Sequence, residues 1–164
     1  MLRIAEEIVG AVLDPEMPQV TLADLGIVRG VTSTGSGVEV TITPTYSGCP
    51  AMGTIRSDIV AALQAAGFGE VTILTALTPA WTTDWISEAG RAKLRAAGYS
   101  TPGAAPRRPD GPVPLTLVPL PRSITCPVCG STDTRLDSEF GATPCKALYR
   151  CLGCREPFDH VKEI

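Results

Sequence analysis

Two Cys-x-x-Cys pairs, Cys126-Pro-Val-Cys129 and Cys151-Leu-Gly-Cys154, lie within the last 39 residues of a 164-residue chain. Thiolates two residues apart can turn around one ion, and two such knuckles supply a tetrahedral four-sulfur site. The 21 residues between the pairs suffice for a hairpin, Thr134 to Phe140 against Ala147 to Arg150, that brings the knuckles together. A segment this short lacks a proper hydrophobic core, so a shared metal at Cys126, Cys129, Cys151 and Cys154 would be what lets it fold. Four thiolates favour zinc, although iron in a rubredoxin-like site has the same geometry. Cys145 is surplus: it either replaces a knuckle ligand or stays a free thiol at the hairpin's edge, and the complete Cys151/Cys154 pair favours the second.

The sixth cysteine stands apart. Cys49 sits in Thr43-Pro44-Thr45-Tyr46-Ser47-Gly48-Cys49-Pro50-Ala51-Met52, directly before a helical pattern. Pro50 suits a first helical position, which puts Cys49 at or beside the N-cap. There the helix dipole predicts a depressed thiol pKa and a better nucleophile or ligand. The competing reading is a small buried residue filling space under the turn. The surrounding hydroxyls and Gly48, which permits close backbone approach, favour the functional one. A Cys-His dyad would need His160, the chain's only histidine, to fold back from the far end; it is expected to be an exposed residue near the C-terminus.

The elements that must position these thiols are legible from periodicity. Leu2, Ala5, Val9 and Val12 follow helical spacing, stopped by Asp14-Pro15-Glu16-Met17-Pro18. A short turn over 21–25 precedes strands over 27–31 and 38–43 around Thr34-Gly35-Ser36-Gly37. Met52, Ile55, Ile59 and Leu63 share a helix face that Gly67 ends. A third strand over 71–77 and a helix over 84–97, capped by Gly98, complete the order α-β-β-α-β-α. This predicts an α+β fold, a two-layer domain with a three-stranded sheet, followed by a small zinc ribbon. The expected division is 1–100, a proline-rich linker over 101–122 with seven prolines, and 123–164. Leu115, Leu117, Val118 and Leu120 suggest that part of the linker lies on a surface or pairs as an edge strand. Trp81 and Trp85 either anchor the last helix or form a partner surface.

Net charge is -3, and residues 1–100 carry six basic and ten acidic side chains. Without a basic field the chain is a poor nucleic-acid or anionic-lipid binder. Acids in Met1 to Glu7 and the lack of any long apolar run predict no signal peptide, no membrane span and a cytoplasmic protein. In a reducing compartment six cysteines read as ligands or reactive thiols rather than disulfides.

Asp14-Pro15-Glu16-Met17-Pro18, Asp24-Leu25-Gly26-Ile27-Val28, Thr41-Ile42-Thr43-Pro44-Thr45 and Gly48-Cys49-Pro50 together resemble the MIP18 (DUF59) family, whose members assist iron-sulfur cluster assembly. Met17 and Ala23 replace the more usual Ile and Thr. The stretch Pro79 to Ser87, Gly90-Arg91, Lys93-Leu94 and the run Phe140 to Cys151 extend the resemblance over the whole chain, to the PaaD (PaaJ) family of accessory subunits of phenylacetyl-CoA epoxygenase systems. That resemblance implies a non-enzymatic maturation role in aerobic phenylacetate degradation. The implied partners are the reductase or oxygenase components, with a homodimer as a further possibility. It also implies functional positions at Cys49, with Asp14, Glu16, Thr43, Ser47 and Gly48 in support, and a transient iron-sulfur cluster as cargo. One cysteine falls short of the four thiolates a cluster usually takes, so a second copy, a partner or an external thiol would supply the rest. The alternative is a structural or chaperone subunit that binds the oxygenase complex without handling a cluster.

Overall fold

The computed structural model describes residues 1–35, 37–46, 48–106 and 124–164. Ala5 and Val9, one turn apart and fully buried, make the first helix, α1 (Leu2–Ala11), a one-sided element. Val12 ends it in an extended conformation. Asp14 then accepts the amides of Glu16 and Met17 on one carboxylate oxygen, at 2.9 and 2.8 Å, which fixes the turn that the prolines require.

Strands β1 (Val28–Ser33) and β2 (Gly37–Ile42) pair antiparallel, and β3 (Glu70–Thr75) pairs with β2 in parallel after the crossover helix α2 (Met52–Ala65). The sheet order is β1-β2-β3. Val38, Val40 and Ile42 alternate into one core with Ile55, Ile59 and Leu63 of α2 and with Ala5 and Val9 of α1. This is the expected two-layer arrangement, with β3 ending at Thr75 rather than at Leu77.

The last helix of this unit differs from expectation. Instead of running from 84, the chain makes a 3-10 turn (Thr83–Trp85), is extended at Ile86, and starts α3 (Glu88–Ala96) only after Ser87, whose hydroxyl accepts the Gly90 amide at 2.9 Å. A serine cap outweighs the periodicity that Trp81 and Trp85 suggest. Both tryptophans work as anchors. Trp81 is buried and donates its indole N–H to the Leu25 carbonyl at 2.8 Å, while the Arg29 guanidinium lies 3.9 Å from the centroid of the half-buried Trp85 ring. Gly26 is left-handed (φ 67°), and a Cβ there would meet Trp85 at 2.8 Å, so the Asp24-Leu25-Gly26 motif is a packing requirement. Asp24 extends it: its carboxylate takes the Thr21 amide at 3.0 Å and the Lys93 ammonium at 2.6 Å, tying α3 to the loop before β1.

The C-terminal segment is a three-stranded antiparallel sheet, β4 (Thr134–Ser138), β5 (Lys146–Cys151) and β6 (Pro157–Val161), in that order. The hairpin was expected; β6 was not, because Pro157-Phe-Asp-His-Val161 follows a charged turn and carries little alternation. Consequently His160 is buried, not exposed. Its ring packs edge-on to Tyr149, with Nδ1 3.2 Å from the Ser100 hydroxyl and Nε2 3.4 Å from Glu163.

Strand β6 also joins the two sheets' surroundings. The Ser100 amide donates to the Asp159 carbonyl (2.9 Å), the Val161 amide to the Ser100 carbonyl (3.0 Å), and the Thr83 amide to the Ile164 carbonyl (3.0 Å). Val161 is buried in the same core as α2, a contact worth about 1.5–3 kcal/mol for a fully buried aliphatic side chain. Most of the expected linker, with Leu115, Leu117, Val118 and Leu120, lies outside the described residues. Among the described residues, no helix is long and apolar enough to cross a membrane.

Candidate metal centre and thiol site

The two knuckles are built alike. The Cys126 amide donates to the Ser131 carbonyl at 2.9 Å and the Cys151 amide to the Glu156 carbonyl at 3.0 Å, each closing a loop around the second cysteine of its pair. The residue after that cysteine is left-handed in both, Gly130 at φ 74° and Arg155 at φ 66°. Glycine adopts this conformation freely, whereas arginine is strained there.

The Sγ atoms of Cys126, Cys129, Cys151 and Cys154 all lie within 4.8 Å of one another. Cys126 and Cys154 sulfurs are 3.7 Å apart, and those of Cys129 and Cys151 are 3.5 Å apart. A tetrahedron with metal–sulfur bonds of about 2.3 Å has edges of about 3.8 Å, so the four thiols fit one such ion. The Cys154 amide, 3.4 Å from Cys151 Sγ, favours the Cys151 thiolate for ligation. When bound, the metal would cross-link β4–β6 and supply no further chemistry. Among the described residues, only Ile124, Ala147, Tyr149, Phe158 and two of the cysteines are buried in that segment's own core, so the metal has much to stabilise.

Cys49 does not sit at the N-cap of α2. That position is Ala51, and Cys49 precedes it by two residues, in a turn closed by its own amide on the Tyr46 carbonyl at 3.2 Å. The reason is that Pro50 and Ala51 form an extra turn before the helix begins at Met52. The electrostatics also run opposite to expectation. Burial pushes the half-buried Cys49 thiol up; the Ala51 amide pulls it down, and the neighbouring Cys145, Asp14 and Glu16 add to the rise. Burial therefore disfavours a free thiolate at this position.

Cys49 lines a cavity of about 30 Å³, room for about one water, that opens to solvent. Asp14 and Glu16 line it too, from the turn after α1, as do Thr45, Met52 and the buried Trp81. Burial raises the Asp14 carboxyl against the pull of the Met17 and Glu16 amides. Thr43 is fully buried at the end of β2, and its hydroxyl has no hydrogen-bond partner among the described residues. Gly48 is exposed in the turn, and Ser47 lies outside the described residues. Thus Cys49, Asp14 and Glu16 come together, and Thr43 and Gly48 flank them without lining the cavity.

The rest of the wall is apolar core, Met17, Leu25, Ile27, Ala51, Ile55 and Ile86, together with Cys145, Val161, Lys162 and Ile164 of the C-terminal segment. Sequence reasoning missed the C-terminal four. The signal available was the surplus Cys145 itself, a cysteine left over once the knuckles are paired. His160 does not line this cavity, so no Cys-His dyad forms with Cys49.

Residues 6–75 match the family described as "Iron-sulfur cluster assembly protein", and residues 111–162 match the "PaaD zinc beta ribbon domain". A crystal structure of a DUF59 domain of unknown function from Bacillus anthracis superposes with a TM-score of 0.52 at 28% identity, over 57% of this chain and 90% of that one. A Mycobacterium tuberculosis protein described as associated with Fe-S complex assembly and repair is 34% identical over 59% of this chain and 85% of its own, with a TM-score of 0.34, too loose an overlay for comparing geometry. An Escherichia coli (strain K12) protein, named as the D component of a "Putative 1,2-phenylacetyl-CoA epoxidase", is 46% identical over 151 residues, 92% of this chain and 86% of that protein. With this likeness running through both the sheet that carries Cys49 and the ribbon that carries the knuckles, the chain belongs to the PaaD family of phenylacetyl-CoA epoxidase subunits, which join a MIP18 (DUF59) iron-sulfur assembly fold to a zinc ribbon.

Proposed function

We propose that this protein is a non-enzymatic accessory subunit of a phenylacetyl-CoA epoxidase system, which assists assembly of an iron-sulfur cluster and delivers it to a partner, the reductase component, through Cys49. The observation that carries this reading is a half-buried thiol beside two carboxylates at an open cavity, within the stretch that matches the iron-sulfur assembly family. Asp14 and Glu16 add negative charge that an iron cation offsets, with Thr43 and Gly48 nearby in the chain; Ser47 keeps the supporting role that the family resemblance implies. A site offering fewer than four thiolates holds a cluster loosely, which suits transfer better than electron transport.

In this reading residues 1–100 are the cluster-handling unit, and residues 123–164 form a ribbon in which Cys126, Cys129, Cys151 and Cys154 hold a structural zinc; residues 101–122 connect them. The protein works in the cytoplasm, and a homodimer is one way to bring further thiolates to the cluster. Anaerobic reconstitution of the reductase with wild-type and Cys49→Ser protein tests the proposal by iron and sulfide content. Loss of transfer with Cys49→Ser is expected. Equal cluster occupancy in both would sink it and favour a subunit that binds the complex without handling a cluster.

A further inference from the structure

We infer that Cys145 is the second thiol ligand of the Cys49 site, so that one chain grips one iron of a 2Fe–2S cluster between its α/β unit and its ribbon. The inference rests on the proposed cluster-handling role of Cys49 and adds a residue that neither the knuckles nor that role uses.

Five observations converge on it. Cys145 and Cys49 line the same cavity, although they belong to different sheets' surroundings. Cys145 is outside the four-sulfur group, so the ribbon metal leaves it free to act elsewhere. Its backbone is held firmly: the Lys162 amide donates to the Cys145 carbonyl at 3.0 Å, and the Lys162 ammonium donates to the Pro144 carbonyl at 2.9 Å. The side chain lies 3.2 Å from the Thr143 hydroxyl, which can donate to a thiolate. Finally, β6 binds the ribbon to Ser100 and buries Val161 beside α2, so the docking that sets Cys145 in the wall of the Cys49 cavity is built from backbone hydrogen bonds and core packing.

The size of the cavity decides how a cluster would sit. An open cavity of about 30 Å³ accepts a water or one ion, not a whole cluster. One iron would bind the two sulfurs, and the sulfides and second iron would stand in the open mouth, where a recipient's thiolates can reach them. Loading is a ligand exchange without electron transfer. The Cys49 and Cys145 sulfurs each form a bond to iron, two external thiolates leave that iron, and the two thiol protons pass to the departing thiolates. Negative charge from Asp14 and Glu16 at the same cavity would be offset by iron.

Two measurements on the full-length, zinc-loaded protein test this. Phenylarsine oxide bridges paired thiols, forming two As–S bonds and releasing its oxygen as water. One arsenical per wild-type chain is expected, with binding weakened at least 100-fold in Cys49→Ser and in Cys145→Ser. In the second, a glutathione-ligated 2Fe–2S complex is offered anaerobically, and retained iron and sulfide are counted. Cys145→Ser and Cys145→Ala should retain at least tenfold less than wild type, with unchanged zinc content and melting temperature. Retention lost in Cys49→Ser but undiminished in both Cys145 variants would overturn the pairing while leaving the cluster role of Cys49 standing. Failure of the wild type to retain a cluster would overturn that role and this inference together. Failure of phenylarsine oxide to bridge the wild type would overturn the pairing on geometry alone.

Discussion

Trp81→Phe separates a core anchor from a partner surface. The indole is 6% exposed, and its N–H donates to the Leu25 carbonyl at 2.8 Å; Leu25 itself is 1% exposed. Phenylalanine keeps an aromatic ring but removes that donor, leaving a buried carbonyl unsatisfied at a cost of about 1–3 kcal/mol. The smaller ring also gives up packing volume next to the Cys49 cavity, for about another 1 kcal/mol. The sum is about 2–4 kcal/mol, or a Tm lower by roughly 5–12 °C for a chain of this size. Urea titration followed by far-UV circular dichroism measures the first figure and a thermal scan the second. A loss below about 0.5 kcal/mol, together with lost association with the epoxidase components, would refute the core assignment and restore the surface reading.

Other expectations follow from the same structure. Removing the ribbon metal with a chelator should unfold β4–β6, because metal binding contributes about 10–16 kcal/mol to such folds; hydrogen exchange would then show lost protection at Val161 and Tyr149 and, through lost docking, at Ser100. Since burial and neighbouring negative groups raise the Cys49 thiol, its thiolate fraction at pH 8 should fall below that of an exposed cysteine. Iodoacetamide labelling of Cys49 should therefore climb to an inflection above pH 9, measured by peptide mass spectrometry; an inflection below pH 8 would contradict this. Arg155→Gly should stabilise the second knuckle by about 0.5–1 kcal/mol by relieving a left-handed arginine, seen as slower zinc release to a chromogenic chelator.

Much of the architecture is legible in the chain because its signals are local. Helical spacing at Ala5 and Val9, or at Ile55, Ile59 and Leu63, reports a buried face directly, and alternation at Val38, Val40 and Ile42 does the same for a strand. The last helix was less legible: Ser87 resets the start that the tryptophan spacing suggests, since a cap hydrogen bond depends on one side chain rather than on a period. Strand β6 carried weak alternation, so the burial of His160 went unseen. The electrostatics of Cys49 inverted because burial outweighs the partial amide field that reaches a residue two positions before the cap, and nearby acidic groups add to the rise.

Local geometries are written in the chain: two knuckles whose spacing can meet one ion, a turn carrying a single cysteine ahead of a helix, and the elements that frame them. These follow from residues a few positions apart, where chain connectivity limits the possible arrangements. Long-range packing, by contrast, puts Cys145 in the same cavity as Cys49, lines that cavity with Asp14 and Glu16 as well, and places Trp81 in the core. Those contacts depend on β6 pairing with Ser100 and on Val161 entering a core built mostly from the other end of the chain. Burial of that kind is set by which surfaces fit together, and surface fit leaves no period in a sequence.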